Sequence, residues 1–469
     1  MTKSRFLKNA LATSIFAFVA AVPATAQLSD APQAEDGSDL VITGIRGKPR
    51  SVTDSPVPID VVNSEEISKV AQTNAQDMLK TVIPSFSLGR QSNTNTSSFV
   101  RPVTMRGLSG DKALVLMNSK RRHKSAQVSY GGNPDQAADI ATIPTLALKS
   151  IEVLRDGAAA LYGSDAIAGV INFILKDDQD GFAATAQYGQ HYEGDGENIL
   201  FAVNKGFRVT DDGFLNVTAQ YNRQADTVRG GQFVNPQFNA VEFAAANPFY
   251  ANAVDLSVPV QPFGQPNEES IRLIANFGIK ATDNTEFYAF GNYSHSTSTA
   301  RGSYRFPGNG HTVLDNPIRL DNGRVFRFLE QYPAGYSPYY TGVITDFSAA
   351  GGYRGSLPMG GQDELSFDLS ARYGFDKVIY ELTNTVNASL GPDSPRSFQP
   401  VHFVSREFGL NANFSYSMAT DLFAEPLVVS FGGEFRRESF TIRPGDVGFY
   451  VAGPWAQPDA FDFCNETTR

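Results

Sequence analysis

Residues 150–176, which read SIEVLRDGAAALYGSDAIAGVINFILK, are the most informative stretch of the chain. Their pattern predicts a strand at 150–154, a turn at Asp156-Gly157 and a buried apolar strand at 170–175. The glycine of that turn can take the positive φ that a tight turn needs. The side chains between the strands are nearly all small, so neighbouring backbone can come close. A soluble α/β core would meet the same requirements, and the pattern alone leaves the class of protein open.

Two upstream stretches have the strand and turn pattern of the same domain. Residues 103–108 read VTMRGL, and residues 113–123 read ALVLMNSKRRH. Together with 150–176 they closely resemble, in order and spacing, the plug domain of TonB-dependent outer-membrane receptors. One departure is Ser119, where the family usually has glycine. A positive φ at this position would cost a non-glycine residue about 1 kcal/mol or more, so the serine leaves the shape of this turn open.

The resemblance implies which residues carry the motifs of the plug. These motif positions are Arg106, Gly107, Arg155, Asp156, Gly157, Tyr162, Gly163 and Gly169. In the family, arginines of the plug pair with glutamates of the barrel, which implies that Arg106 and Arg155 pair with Glu434. The alternative is that each of these side chains is simply hydrated, since exposed ion pairs contribute only about 0 to 1 kcal/mol.

Residues 1–26 are predicted to be a cleavable secretory signal peptide. Three basic residues precede an apolar stretch at 10–22, and the cleavage-type sequence Ala-Thr-Ala follows at 24–26. The apolar stretch is shorter than the roughly 20 residues of a spanning helix, and no later segment offers one. The mature protein is therefore expected outside the cytoplasm, and it can enter a membrane only as a barrel.

The composition narrows the class of protein. A net charge of −10 and a pI of about 5.1 argue against nucleic acid as a partner, and the basic cluster KRRHK at 120–124 is predicted to be a solvated turn. Hydrophobic residues make up 41% of the chain and mean hydropathy is −0.23, which is typical of porin-like barrels rather than helical membrane proteins. Cys464 is the only cysteine, so neither a cysteine metal cluster nor an internal disulfide is predicted.

An extended segment near the N-terminus, DLVITGIR, is rich in β-branched residues and has no obvious hairpin partner. An unpaired strand of this kind can add to the sheet of another protein. The segment resembles the TonB box, through which receptors of this family pair with TonB; the alternative is an ordinary first strand of the plug. The box comprises Asp39, Leu40, Val41, Ile42, Thr43, Gly44, Ile45 and Arg46.

Beyond the plug, apolar and polar residues alternate over long runs. Clear runs occur at 365–375, 380–390, 408–418 and 427–436, with weaker ones at 215–221 and 271–279. Runs of about 11 residues exceed ordinary globular strands and match a tilted membrane strand of about 9 to 11. A soluble β-sandwich would also alternate, but aromatic residues near the strand ends favour a membrane barrel. By parity, the polar set with Arg372, Glu434 and Arg436 should face the lumen that holds the plug.

The predicted fold class is an α/β plug domain followed by part of an antiparallel transmembrane β-barrel. Its segments are the signal peptide, a periplasmic segment with the TonB box (27–50), the plug (51–177) and an incomplete barrel (178–469). About nine or ten spanning strands are predicted, against 22 in the family's plugged barrel, so the sequence is expected to be an N-terminal fragment. Cys464 would then have its disulfide partner in the missing part.

The spacing predicts long loops at 225–270, 299–363 and 392–404 on the extracellular side. Their aromatic and histidine side chains either pack the loops or touch a substrate. These side chains are Tyr332, Tyr336, Tyr339, Tyr340, Tyr353 and His311. Loop packing is the preferred interpretation.

The resemblance implies active transport rather than catalysis. TonB, energised by ExbB and ExbD, would engage the box and rearrange the plug of a receptor in the outer-membrane lipid of a Gram-negative cell. The substrate would be a scarce small molecule or oligosaccharide, which the loops do not identify. No catalytic triad, zinc site or phosphate loop is present, and no cofactor is predicted. The alternatives are a signalling receptor, which would need a further N-terminal domain, and a secreted β-rich enzyme or adhesin.

Overall fold

The computed structural model describes residues 40–41, 43, 50–51, 58–70, 75–83, 85–87, 99–100, 103–128, 135–155, 157–308, 314–420 and 426–456. Within these ranges the chain forms a small α/β domain followed by nine long antiparallel strands. None of the helices in these ranges is long and apolar enough to cross a membrane.

The described residues of the α/β domain, called the plug domain below, form nine strands and three short helices. The strands are β1 (Leu40–Val41), β2 (Arg50–Ser51), β3 (Ile59–Asn63), β4 (Phe86–Ser87), β5 (Thr104–Met105), β6 (Ala113–Met117), β7 (Lys120–Arg121), β8 (Leu148–Leu154) and β9 (Gly169–Leu175); the helices are α1 (Ser64–Lys69), α2 (Ala75–Val82) and α3 (Ala159–Tyr162).

Five of these strands form one sheet in the order β3-β8-β9-β6-β7. The β6 and β9 strands run parallel, as expected for strands that are joined by a long connection, and the other pairs are antiparallel. Apolar side chains of β6, β8 and β9 lie in the domain core; Ile151, Ile171 and Phe173 have no exposed surface. The predicted strands at both ends of residues 150–176 are thus a central antiparallel pair.

The helix α1 begins where the sequence places a capping box. The Asn63 side chain accepts a hydrogen bond from the backbone N–H of Glu66 at 2.9 Å, and the Glu66 carboxylate accepts one from the N–H of Asn63 at 3.0 Å. Two of the donors at the start of the helix are satisfied in this way. The second predicted box, which begins at Thr73, lies outside the described residues.

The turn between β6 and β7 adopts the left-handed conformation despite its lack of glycine. Asn118 has φ 45° and Ser119 has φ 64°. Three hydrogen bonds offset the strain: the Asn118 side chain accepts from the N–H of Leu175 at 2.9 Å and donates to Asn276 at 3.1 Å, and the N–H of Ser119 donates to Asn172 at 3.0 Å. The serine at position 119 therefore does not prevent the left-handed turn, whose shape the sequence alone left open.

The nine long strands, called the wall sheet below, pair in chain order. They are β10 (Phe182–Gly189), β11 (Asn198–Thr210), β12 (Gly213–Gln224), β15 (Asn267–Thr282), β16 (Thr285–Arg301), β19 (Tyr339–Gly360), β20 (Asp363–Thr383), β22 (Val401–Met418) and β23 (Leu427–Pro444); short strands β13 (Val234–Asn235), β14 (Phe238–Asn239), β17 (Ile318–Arg319), β18 (Val325–Phe326) and β21 (Ser397–Phe398) lie in the connections, with helices α4 (Ala240–Ala246), α5 (Pro248–Ala253) and α6 (Val447–Tyr450).

Two predicted boundaries in the wall sheet are wrong. The runs predicted at 365–375 and 380–390 are not two strands, because β20 continues unbroken through the first and ends within the second, and a 3-10 helix follows at Ala388–Asp393. The predicted loop at 299–363 contains the 22 residues of β19, whose glycines at 351, 352 and 355 weaken the alternation. The loop itself is confined to 302–338.

The two faces of the wall sheet differ in chemistry, and parity decides which side chain lies on which face. Along β20, Arg372, Asp376 and Val378 are buried on the face that contacts the plug domain, whereas Leu369 and Tyr373 point away and are 43% and 40% exposed. Similar exposed apolar side chains occur on neighbouring strands: Phe201, Phe207, Phe287, Phe347, Phe408, Leu410, Phe431 and Phe435. The sheet therefore presents an apolar outer face and a largely polar inner face.

The connections of the wall sheet are short at one end and long at the other. Three hairpins turn within two residues, at 211–212, 283–284 and 361–362. At the opposite end, the connections at 225–266 and 302–338 form two hydrophobic clusters, the first of which joins both connections. The first cluster includes Phe238, Tyr250, Tyr304 and Phe306, and the second includes Leu314, Phe326, Phe328, Tyr332 and Tyr336.

Candidate functional site

The basic segment, residues 120–124, lies between the plug domain and the wall sheet. Lys120, Arg122 and His123 are only 8%, 5% and 5% exposed. Lys120 Nζ lies 2.8 Å from Asp368 of β20, and burial lowers the pKa of this lysine although the nearby Asp368 opposes the shift. The prediction of a solvated turn is therefore wrong, because acidic side chains of the wall sheet contact all three of these side chains.

Asp346 of β19 is the centre of this interface. Its two carboxylate oxygens lie 2.6 Å from Arg122 Nη2 and 2.7 Å from His123 Nε2. Both Arg122 and Asp346 have side chains only 2% exposed. Arg122 also donates hydrogen bonds to Ser348 of β19 at 2.7 Å and to Thr142 of the plug domain at 3.0 Å. A buried charge without these partners would destabilise the fold by several kcal/mol, so the pairing fixes the position of the basic segment.

Two more buried carboxylates surround this pair. The N–H of Ala126 donates to Asp376, which is the cross-strand partner of Asp346. Asp139 of the plug domain accepts from the N–H of Ala141 at 2.9 Å, and burial raises its pKa to about 6 against that hydrogen bond. Because the folded pKa of Asp139 is above its ordinary value of 3.8, its contribution to stability falls as pH rises from about 4 to 6.

Glu434 contacts a plug arginine, but not one of the two predicted. Its carboxylate lies 2.6 Å from Arg372 of β20 and 3.9 Å from Arg121 of the basic segment. Arg155 instead pairs with Asp60 inside the plug domain at 2.8 Å. Neither Arg106 nor Arg155 is among the described ion pairs of Glu434, so the predicted pairing is corrected to Arg121.

A second acidic side chain contacts both the basic segment and the wall sheet. Asp165 of the plug domain lies 2.6 Å from Arg121 and 3.2 Å from Arg436 of β23. Arg372, Glu434 and Arg436 therefore lie on the face of the wall sheet that the strand parity predicts. Three wall strands, β19, β20 and β23, thus carry ion pairs to the plug domain.

The plug motif positions mainly shape the backbone. Arg106 and Gly107 have φ values of 54° and 73°, so the Arg-Gly turn is left-handed at both residues. Gly163 has φ 84° and ends α3, whose last residue is Tyr162. Gly169 has φ 146° at the start of β9, where an added Cβ would lie 2.5 Å from the carbonyl oxygen of Leu154. Gly157 is exposed, and Asp156 lies outside the described residues.

A glycine of the wall sheet allows the basic segment to approach the sheet closely. Gly374 lies between Arg372 and Asp376 on the inner face of β20, and a Cβ at this position would overlap the His123 ring. We expect Gly374→Ala to reduce the free energy of unfolding by about 1 to 3 kcal/mol, since the well-packed interface must shift. Thermal unfolding of the full chain in detergent measures this change.

Gly433→Ala is the matched control for Gly374→Ala. Gly433 lies in β23 with no heavy atom within 4 Å of the added Cβ. Its replacement should change the free energy of unfolding by no more than about 0.5 kcal/mol. Equal effects of the two substitutions would contradict the close approach of His123 to β20.

The predicted TonB box lies partly within the described residues. Leu40–Val41 pairs with Arg50–Ser51, so the expectation that the box has no hairpin partner is wrong. Thr43 is 1% exposed; its N–H donates to Glu152 at 2.8 Å, and its hydroxyl donates to the same carboxylate. Five positions of the box lie outside the described residues: Asp39, Ile42, Gly44, Ile45 and Arg46.

Of the remaining predicted residues, five lie in a loop cluster or in a strand, and two lie outside the described residues. Tyr332 and Tyr336 are 7% and 6% exposed in a loop cluster, whereas Tyr339, Tyr340 and Tyr353 lie in β19. His311 and Cys464 lie outside the described residues. Within the described ranges, no group of three or more His, Cys, Asp or Glu side chains is arranged to hold a metal ion.

The sequence did not predict which acidic side chains of the wall sheet pair with the basic segment. Asp346 falls in a region that was predicted to be loop, and Asp376 lies between the two predicted runs of β20. An available signal was that Asp368 lies on the same parity as Arg372, which the alternation already assigned to the inner face of the sheet. Together with a five-residue basic cluster in the plug domain, it would have indicated buried pairing rather than a solvated turn.

Comparison with known proteins agrees with the plug motifs. The family model described as "TonB-dependent Receptor Plug Domain" matches residues 51–170. The ferric enterobactin receptor of Pseudomonas aeruginosa is 27% identical over 198 residues, which cover 37% of this chain and 26% of the receptor. The probable TonB-dependent siderophore receptor PirA of Acinetobacter baumannii is 28% identical over 179 residues, covering 37% of this chain and 24% of that protein. The match thus spans about a quarter of the length of these curated relatives.

Solved structures with detectable similarity include receptors of the same kind. The siderophore receptor PirA from Acinetobacter baumannii has a TM-score of 0.49 at 18% identity, over 83% of this chain and 49% of that chain. The unliganded ferric citrate transporter FecA has a TM-score of 0.48 at 14% identity, over 84% of this chain and 58% of that chain.

The plug motifs, the match at 51–170 and the antiparallel strands that follow agree with one another. The predicted fold class, an α/β plug domain followed by antiparallel barrel strands, is confirmed. Residues 51–170 of this chain are therefore similar to the plug domain of TonB-dependent receptors.

Proposed function

We propose that this protein is an outer-membrane receptor that imports a scarce nutrient by TonB-coupled active transport. The wall sheet forms part of a membrane barrel, with its apolar outer face against lipid. The plug domain lies against the inner face and blocks passage until it is rearranged. Export through the predicted signal peptide at 1–26 brings the protein to the outer membrane of a Gram-negative cell.

The buried ion-pair interface of the basic segment is the observation that carries this proposal. A structural domain could be held against a sheet by apolar packing alone, which is cheaper than desolvating charges. Here Lys120, Arg122 and His123 instead contact wall carboxylates at 2.6 to 2.8 Å. Such contacts hold the plug in one position, and water can solvate the separated groups when the plug moves.

The partner that moves the plug is TonB, energised by ExbB and ExbD. The predicted box, 39–46, precedes the plug sheet and contains a two-residue strand whose only described partner is another two-residue strand. A hairpin of this size is weak in water, so its strand can leave and pair with another protein. The proposed mechanism therefore has two steps: TonB binds the box, and the plug domain then rearranges.

The proposed substrate class is a ferric siderophore, because the curated relatives are a ferric enterobactin receptor and a probable siderophore receptor. Substrate would enter from the long-connection end of the wall sheet. There, the two aromatic loop clusters give the connections fixed shapes. The chain itself acts as a transporter and not as an enzyme, and requires no resident cofactor in this mechanism.

Deletion of residues 39–46 tests the coupling step. Cells that express the deleted protein should lose energy-dependent uptake of radiolabelled ferric enterobactin while retaining its binding at the cell surface. Deletion of residues 28–35, the same length upstream, is the control and should leave uptake unchanged. Undiminished uptake without 39–46 would overturn the coupling, and absence of surface binding by the intact protein would overturn the substrate class.

A further inference from the structure

We propose that Glu152 and Asn172 form a binding site of the plug domain for the TonB box, with Thr43 as the residue that the site holds. The proposal rests on the proposed function and deepens it, since it states what retains the box before TonB engages it. The site competes with TonB for the same segment of chain.

The two residues of this site face each other across the centre of the plug sheet. Glu152 of β8 and Asn172 of β9 are cross-strand partners, and they are 2% and 0% exposed. The amide Nδ2 of Asn172 lies 3.5 Å from the Glu152 carboxylate. Two polar side chains thus interrupt the otherwise apolar pattern of two buried strands.

Thr43 satisfies both members of this pair. Its N–H donates to Glu152 Oε2 at 2.8 Å, its hydroxyl donates to the same oxygen, and Asn172 Nδ2 donates to the hydroxyl oxygen at 3.1 Å. The side chain is 1% exposed although it belongs to a segment 109 residues from Glu152 in the chain. Departure of Thr43 removes partners from buried polar groups, which is unfavourable until water or another donor replaces them.

Asn172 also connects this site to the wall sheet. Its Oδ1 accepts from the N–H of Ser119 at 3.0 Å, and the next residue, Lys120, pairs with Asp368 of β20 at 2.8 Å. One amide therefore holds the box through its nitrogen and the β6–β7 turn through its oxygen. Displacement of the basic segment from the wall pulls on Asn172 and weakens its hold on Thr43.

The test measures how accessible the box is in isolated outer membranes. An Ile45→Cys substitution in a Cys464→Ser background supplies one thiol for labelling with a maleimide. Thr43→Val keeps the side-chain volume and removes the hydroxyl, and Thr43→Ser keeps the hydroxyl. We expect Thr43→Val to raise the labelling rate about tenfold, which corresponds to about 1.4 kcal/mol, and Thr43→Ser to change it less than about twofold. Equal rates in the two variants would overturn the site.

A second measurement separates this proposal from the proposed function. The purified periplasmic domain of TonB should bind the detergent-solubilised protein, and we expect it to bind the Thr43→Val variant more tightly. If Thr43→Val raises the labelling rate but TonB binds neither the original protein nor the variant, the Thr43 site is supported and the coupling to TonB is contradicted. If TonB binds both proteins and their labelling rates are equal, the coupling to TonB is supported and the Thr43 site is contradicted.

The link through Asn172 has its own test. Asp368→Asn weakens the anchor of Lys120 on the wall and should raise labelling about threefold when Thr43 is present. In the Thr43→Val background it should have no further effect, because the hold on the box is already lost. Multiplicative effects of the two substitutions would show that the turn and the box are independent, and would overturn the connection.

Discussion

Replacement of Asp346 by alanine is expected to reduce the free energy of unfolding by about 3 to 5 kcal/mol. The substitution leaves Arg122 without its ion pair although its side chain is only 2% exposed, and it removes the partner of His123 Nε2. The remaining contacts of Arg122 with Ser348 and Thr142 are neutral and cannot replace the carboxylate. The plug domain should separate from β19 and become sensitive to protease before the wall sheet unfolds.

Asp177→Ala is the control for this prediction. Asp177 also pairs with a cation, Lys149 at 2.9 Å, but the two side chains are 46% and 56% exposed. An exposed pair contributes about 0 to 1 kcal/mol, so protease resistance should be retained. Thermal unfolding and limited proteolysis of the full chain in detergent measure both variants. A loss below about 1 kcal/mol in Asp346→Ala would show that the buried pair does not hold the plug domain.

Gly169→Ala is expected to cost about 2 to 6 kcal/mol, the second large effect. The φ of 146° is unfavourable for a residue with a side chain by about 1 to 3 kcal/mol. The added Cβ would also lie 2.5 Å from the Leu154 oxygen and 3.0 Å from Met105 Cε, which costs about 1 to 3 kcal/mol more in a closely packed core. Because β9 is the centre of the plug sheet, the parallel pairing with β6 should be lost first.

Gly189→Ala tests whether the loss is specific to this position. Gly189 ends β10, and an alanine Cβ there meets no heavy atom within 4 Å. Its replacement should shift the free energy of unfolding by no more than about 0.5 kcal/mol. Near-native unfolding of Gly169→Ala, measured by circular dichroism in parallel with Gly189→Ala, would mean that β9 can move away from Leu154.

The sequence was sufficient to predict the plug domain because its signals are local. The small residues between β8 and β9, the capping box at Asn63 and the Arg-Gly turn each depend on a few neighbouring positions. The alternation of the wall strands is also local, and parity correctly indicated that Arg372 and Arg436 share the inner face. These features follow from backbone conformation and from the two-residue period of a strand.

The ion pairs of the interface could not be predicted in the same way. Lys120 and Asp368 are separated by 248 residues, and which wall carboxylate meets which plug cation depends on strand register and on the orientation of the plug domain. The resemblance supplied the type of contact, arginine with glutamate, but assigned it to Arg155, which Asp60 neutralises locally. The box hairpin was missed because two paired residues leave no periodic signal.

The length of β19 has a consequence for the proposed membrane position of the wall sheet. Its 22 residues extend about 70 Å along the strand, far more than a hydrocarbon layer of about 30 Å requires even at a steep tilt. The exposed apolar side chains Phe347, Leu357 and Met359 all lie in its later part, whereas none of the first eight residues has an exposed side chain. If the wall sheet spans a membrane as proposed, the early part of β19 would carry the aromatic loop clusters beyond the lipid, and we expect substitutions in those clusters to alter substrate binding while membrane insertion proceeds normally.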